Sequence, residues 1–193
     1  LSRGGRTRIG GFPDHFVQSV LPRTAVFDGG AKTIRAMKVE FWFIGKTNES
    51  YLEAGMGIYE KRLRRYLPFQ MQCLPDVRQA GNLAPEQLKT KEGEAILSKT
   101  KPEDLLVLLD EKGQSFTSEG FARYVEQQLS GSKHRLIFLV GGAYGFSGEV
   151  YQRADAKLAL SAMTFSHQMV RLFFLEQLYR AMTILRGEPY HNN

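Results

Sequence analysis

The chain contains a single cysteine, Cys73, in 193 residues. One thiol excludes an intramolecular disulfide framework and a multi-cysteine metal site. Cys73 falls in the strand-like run Phe69-Gln-Met-Gln-Cys-Leu74, where it reads as a small packed residue. A reducing compartment fits. Long apolar runs are also missing. No stretch reaches the roughly 18 apolar residues that a membrane span needs, and the most apolar segment, Met169 to Leu185, is broken by Arg171, Glu176 and Arg180. No Cys/His/Asp cluster has metal-ligand spacing, so no metal site is expected. Nothing resembles a Ser-His-Asp arrangement or a nucleophile elbow. The G-x-G-x-x-G of dinucleotide folds is absent as well, which disfavours an oxidoreductase.

Acidic residues are scarce at the amino end. Residues 1–36 hold six Arg and Lys against Asp14 and Asp28, and so carry four of the chain's six net positive charges. They are rich in Gly and Arg, lack sustained periodicity and begin with Leu1. Three readings stand: a leader that is non-native or disordered, a basic transit peptide, and a basic arm for nucleic acid. Met37 directly precedes a strand and is a natural start for the folded unit, 37–193. That unit carries little net charge, so a polyanionic partner has to be argued from local patches.

What is present is an alternation of short apolar runs with amphipathic segments. Val39-Glu-Phe-Trp-Phe-Ile44 reads as a buried strand closed by Gly45. Asn48 has the chemistry to cap the following helix, in which Gly55 and Gly57 call for close packing. Lys61-Arg-Leu-Arg-Arg65 ends that helix as either a solvated cationic terminus or a phosphate-contacting patch. A second strand, Phe69 to Leu74, leads to a polar loop and a charged surface helix starting near Pro85. Asp104-Leu-Leu-Val-Leu-Leu109 lacks alternation and reads as a strand buried on both faces, ending in the turn Asp110-Glu-Lys-Gly113. Thr117 or Ser118 caps the next helix, and His134 to Val140 is a fourth strand. The chain thus alternates strand and helix through to a fifth strand and a last helix, Gln168 to Arg186. This predicts an α/β fold with a mostly parallel sheet and helices on both faces. Ligands in such sheets bind outside the carboxyl ends of the strands.

Three of those ends stand out: Leu109-Asp110, Val140-Gly-Gly142 and Leu160 to Phe165. Adjacent glycines after a buried strand allow close backbone approach to a ligand, or simply serve a tight turn. On the last helix, Glu176 and Arg180 form an i,i+4 pair, while His167 and Arg171 share the opposite side. A helix so apolar all round must be covered on most sides, which predicts that part of it is a subunit interface.

Val140-Gly-Gly142 through Gly145-Phe146, Leu160-Ser-Ala-Met-Thr-Phe-Ser-His167, Leu175-Glu-Gln-Leu-Tyr-Arg-Ala181 and Gly187-Glu-Pro-Tyr-His191 together resemble the RlmH family. These are SPOUT-class methyltransferases acting on N3 of a pseudouridine in large-subunit (23S) ribosomal RNA. The resemblance runs from Met37 to Asn193, with residues 1–36 outside it. It implies a trefoil-knotted SPOUT fold, which periodicity by itself does not reveal. It also implies a homodimer, S-adenosyl-L-methionine as cofactor, and cytoplasmic work on 23S rRNA within the large subunit or the assembled ribosome, with no membrane and no metal.

Carried over residue by residue, the cofactor positions are Leu109, Gly141, Gly142, Leu160, Ser161, Ala162, Met163, Thr164 and Phe165. Ser166 stands where many relatives place a proline. The catalytic candidates are His191 for the N3 proton, Tyr190 for stacking or hydrogen bonding, and Arg171 with His167 for phosphate or developing charge. A non-catalytic RNA- or ribosome-binding SPOUT module is the alternative.

Overall fold

The computed structural model describes residues 37–77 and 80–190. The basic extension 1–36 and His191 lie outside the described residues. The order is β1 Lys38–Ile44, α1 Ser50–Leu63, β2 Phe69–Leu74, α2 Pro85–Leu97, β3 Leu105–Ser115, α3 Ser118–Leu129, β4 Arg135–Val140, α4 Gly148–Arg153, β5 Ala156–Ala159 and α5 Met169–Leu185. The strands form one sheet in the order β2-β1-β4-β3-β5, every neighbouring pair parallel. This is the expected α/β architecture. The helices needed to cross between parallel strands cover both faces, and for that reason the central strands show no alternation.

Strand periodicity sorts the core into two halves. Val39, Phe41, Phe43, Val107, Phe138 and Val140 face one side, where they meet Met56 and Leu63 of α1, Phe121 and Val125 of α3, and Phe174 and Leu178 of α5. Trp42, Ile44, Leu106, Leu108, Ile137 and Leu139 face the other, against Ile96 of α2 and Val150 of α4. Phe174 is the hub of the first half. Its ring centroid lies 4.9 Å from that of Phe41 and 4.8 Å from that of Phe138. α1 and α5 approach closely at Gly55, where a Cβ would stand 3.0 Å from a methyl of Leu172. Close packing thus accounts for a glycine inside a helix.

At the amino ends of the strands, the buried Glu40 accepts from the Trp42 indole at 2.7 Å and from Lys38 at 2.9 Å. Nearby, Arg135 pairs with the buried Asp104 and lies over the Trp42 ring. Burial opposes ionisation of Asp104, but hydrogen bonds from Arg135 and the Lys101 N–H hold its carboxyl below the ordinary value. All this lies at the end of the sheet remote from the strand ends picked out above.

Four local expectations are corrected. Cys73 is exposed, because β2 is an edge strand. Glu49, not Asn48, occupies the cap position of α1; the Asn48 N–H is instead taken by Gln168 Oε1 at 2.9 Å. β3 does not stop at Leu109. After a register shift it pairs again with β5 through Gln114 and Ser115, since the polar turn bulges without leaving the sheet. The charged helix α2 is not a surface appendage either: Leu88, Glu92, Gly93 and Ile96 are buried against the sheet and α4. Thr117 caps α3 as expected, accepting from the Gly120 N–H at 3.1 Å.

Candidate active site

The carboxyl ends of β3, β4 and β5 open into one cleft of about 570 Å³, within the range of small-ligand sites. Strand order explains the convergence. β4 and β5 flank β3, so Leu109, Gly141 and Leu160 come together although 51 residues of chain separate the first from the last.

The turn after β4 is built on glycine. The Gly145 N–H returns to the Gly142 carbonyl at 3.2 Å, and Gly145 takes φ 79°, a conformation that L side chains rarely adopt. A Cβ on Gly141 would press on the Gly145 carbonyl oxygen at 3.1 Å. The absence of side chains leaves backbone facing the cleft. Opposite, the loop after β5 is fixed by its own hydroxyls. Ser161 Oγ accepts from the Met163 N–H at 3.0 Å, and Ser166 Oγ accepts from the Met169 N–H at 3.2 Å. Ser166 therefore fastens the loop to the first turn of α5.

Leu109, Gly141, Gly142, Leu160, Ser161, Met163, Thr164, Phe165 and His167 all line the cleft. Ala162 is exposed and is not one of its walls. Tyr144 and Tyr151 also line it and were missed in the sequence. Tyr151 donates to Asp110, which ties α4 to the end of β3, and burial with that hydrogen bond pushes its phenol up to about 12. Only the aromatic residue type hinted at these two.

Arg171 requires a correction. The expectation of phosphate or developing charge beside His167 fails, because the guanidinium points into the protein and is 1% exposed. It donates to the carbonyls of Ile44 at 2.6 Å, Gly45 at 3.0 Å and His167 at 3.1 Å, and to Thr47 Oγ1 at 3.0 Å. Burial lowers its pKa, yet a guanidinium stays protonated. Its work is to join α5, β1 and the cleft loop. His167 is exposed at the cleft. Burial of its ring and then the charge of Arg171 lower its pKa, with Asp76 opposing, so the imidazole is neutral near pH 7.

Tyr190 is not among the cleft's walls. Its hydroxyl lies 3.2 Å from Glu176 Oε1 and 3.3 Å from the Tyr59 hydroxyl, and Arg180 stands over its ring. Glu176 and Arg180 form the expected i,i+4 pair at 2.5 Å. The tail is further held by Tyr66, which donates to Glu188 at 2.5 Å. Among the described residues there is no group of three metal-ligating side chains and no helix long and apolar enough to cross a membrane.

An all-parallel α/β sheet whose β4 glycine turn and β5 loop close one cleft defines a class, and the chain belongs to it. It is a member of the family described as "Predicted SPOUT methyltransferase", whose model matches residues 37–191. The trefoil-knotted topology of that family comes with membership. Among its relatives are proteins named "Ribosomal RNA large subunit methyltransferase H". Those from Christiangramia forsetii and Parabacteroides distasonis are 53% and 52% identical over 156 residues, covering 81% of this chain and 99% of each relative. One from Cytophaga hutchinsonii is 51% identical over 156 residues, 81% of this chain and all of the relative.

Proposed function

We propose that this protein is an S-adenosyl-L-methionine-dependent methyltransferase acting on N3 of a pseudouridine in 23S ribosomal RNA, working in the cytoplasm as a homodimer. The observation that carries the reading is the convergence of Leu109, Gly141–Gly142 and the 160–165 loop on a single cleft, in a chain whose relatives bear the name of a large-subunit rRNA methyltransferase.

The cleft fits the cofactor. Side-chain-free Gly141 and Gly142 present backbone N–H and C=O to a nucleoside, and Leu109, Leu160 and Phe165 supply apolar walls. S-adenosylmethionine provides a methyl already activated by its sulfonium, so the protein's task is placement of the acceptor nitrogen in line with it. Excluding water and ordering the loop fall to Ser161, Ser166 and the Arg171 staple. The N3–H of the base must lose a proton; neutral His167 at the cleft is a competent acceptor, and His191 remains the candidate on the tail.

Tyr190 rests on its own chain beside Glu176, so a tail serving a cleft is most simply that of a second copy. The exposed side chains Tyr51, Ile58 and Phe173 on α1 and α5 give that copy an apolar face to cover. RNA phosphates are best met by Lys61, Arg62, Arg64 and Arg65 at the end of α1 together with Arg186. Within this group Arg62 stacks near the rings of Tyr59 and Tyr179 at 5.4 and 5.3 Å.

Nucleoside mass spectrometry of ribosomal RNA with and without the protein tests the assignment. 3-Methylpseudouridine is expected to appear only with the protein. An unchanged level, with cofactor still bound, supports an RNA-binding module instead.

A further inference from the structure

The cleft carries two large side chains that the fold leaves uncovered. Tyr144 is 56% exposed and Met163 71%, yet both are walls of the cleft. They stand on different elements, Tyr144 on the turn after β4 and Met163 on the loop after β5. A wall that is also largely exposed lies on the open side of a cleft, so these two mark its mouth.

The fold gives Tyr144 nothing to rest on. Gly142 and Gly145 bridge each other and close a turn through the Gly145 N–H and the Gly142 carbonyl, which leaves Ala143 and Tyr144 at its corner. The Tyr144 side chain has no hydrogen bond, ion pair or ring contact with any other described residue. Tyr151, the other cleft tyrosine, differs. It donates to Asp110, meets the Phe146 ring edge-on at 5.7 Å and has Lys157 over its ring at 5.8 Å. Packing thus accounts for Tyr151 and not for Tyr144. An aromatic ring without an intramolecular partner, carried on a hydrogen-bonded turn, offers a flat apolar face to a planar ligand.

Charge does not select that ligand. Among the ionisable walls of the cleft, Asp110 and Glu111 outnumber Lys112, and His167 is neutral near pH 7. The mouth therefore has no net attraction for phosphate, and what it offers is stacking. Methyl transfer, in turn, needs two reactants held in line. With the nucleoside of the cofactor inside the cleft, the acceptor base has to enter at the mouth, against the side chains that stand there. Unpaired RNA bases are commonly held by stacking on aromatic side chains.

We propose that Tyr144 is a stacking platform for the RNA base that enters the cleft, with Met163 as the apolar contact on the opposite lip. This rests on the function reading above and adds to it a residue that recognises the RNA and not the cofactor.

Steady-state methylation of ribosomes that lack the modification, by the full chain and its Tyr144 variants, tests it. Tyr144→Ala is expected to raise KM for ribosomes about tenfold, the scale of one base–aromatic stack, with kcat changed far less. Affinity for S-adenosylmethionine, measured by calorimetry, should stay within a factor of about two. Tyr144→Phe and Tyr144→Trp should recover most of the loss and Tyr144→Leu should not, because only an aromatic face stacks. The slope of log KM against log salt should be unchanged, since no phosphate contact is lost. An unchanged KM in Tyr144→Ala overturns the proposal, as does recovery by leucine equal to that by phenylalanine. A matching loss of cofactor affinity, which gives the ring to the cofactor, also overturns it. So does a changed mass in light scattering, which gives the ring to a second copy. If the wild-type protein leaves ribosomes unmethylated, the function reading itself is wrong and the proposal falls with it.

Discussion

The guanidinium of Arg171 donates to the carbonyl oxygen of Ile44 at 2.6 Å, across 127 positions of sequence. This contact fastens the start of α5 to the carboxyl end of β1. With the bonds to Gly45 and His167 it anchors the loop that closes the cleft. Removing it leaves three carbonyls without their donor. Arg171→Met is expected to lower unfolding free energy by ~3 kcal/mol, read as a shift of the urea midpoint. Arg171→Lys should restore little, because an ammonium cannot reproduce the planar fork. A variant as stable as wild type would remove the staple from the account.

Gly142→Ala tests the glycine turn. The new methyl would meet the Glu92 carboxylate, the end of a flexible side chain held in a tight space. Cofactor affinity is expected to fall at least about tenfold, at a stability cost of roughly 1–3 kcal/mol from overpacking. The double variant Gly142→Ala/Glu92→Ala should recover the stability, as thermal melting will show.

Two carboxyl groups give stability opposite dependences on pH. The Glu92 pKa is raised from 4.5 to about 7 in the folded protein, so the folded state holds the proton more strongly. Its contribution is fully present below pH 4.5 and lost as pH rises through about 7. Glu92→Gln should therefore match wild type near pH 4.5 and exceed it by ~1–2 kcal/mol at pH 8 without cofactor. Asp104 is lowered, so its contribution is present above its ordinary 3.8 and lost as pH falls below that. Asp104→Asn should flatten the acid limb of the profile while leaving the alkaline limb alone.

Ile58 is 51% exposed and Phe173 39%, on adjoining helices. A charge placed on a covered apolar face is costly, while on a free surface it is nearly neutral. Ile58→Glu and Phe173→Glu are expected to convert a dimer to monomers with far-UV circular dichroism unchanged. Light scattering showing one mass for all three proteins would argue against α1 and α5 as the interface.

Tyr190→Phe removes one hydroxyl from the Glu176–Tyr59 cluster. If the tail meets the nucleotide, cofactor affinity should hold while methylation of ribosomal subunits slows about tenfold or more. Equal rates would make Tyr190 a packing residue.

The order and type of the elements were legible in the sequence because they depend on local periodicity: unbroken apolar runs for strands covered on both faces, and 3.6-residue spacing for helices. The three strand ends were legible too, since glycine and hydroxyl residues mark where the backbone must turn. What the tertiary structure decided is where ambiguous polar residues point. Arg171 shares a helix side with His167, but only the position of β1 turns it inward to four acceptors. Glu92 looks like one charge in the solvated segment Lys89–Glu94; only the docking of α2 beneath the glycine turn sets its carboxylate against Gly142. Tyr190 looks free in a short tail and is instead held by α1 and α5. Periodicity fixes which residues share a face. What that face meets depends on strand order and helix docking, contacts between residues distant in sequence that no local pattern encodes.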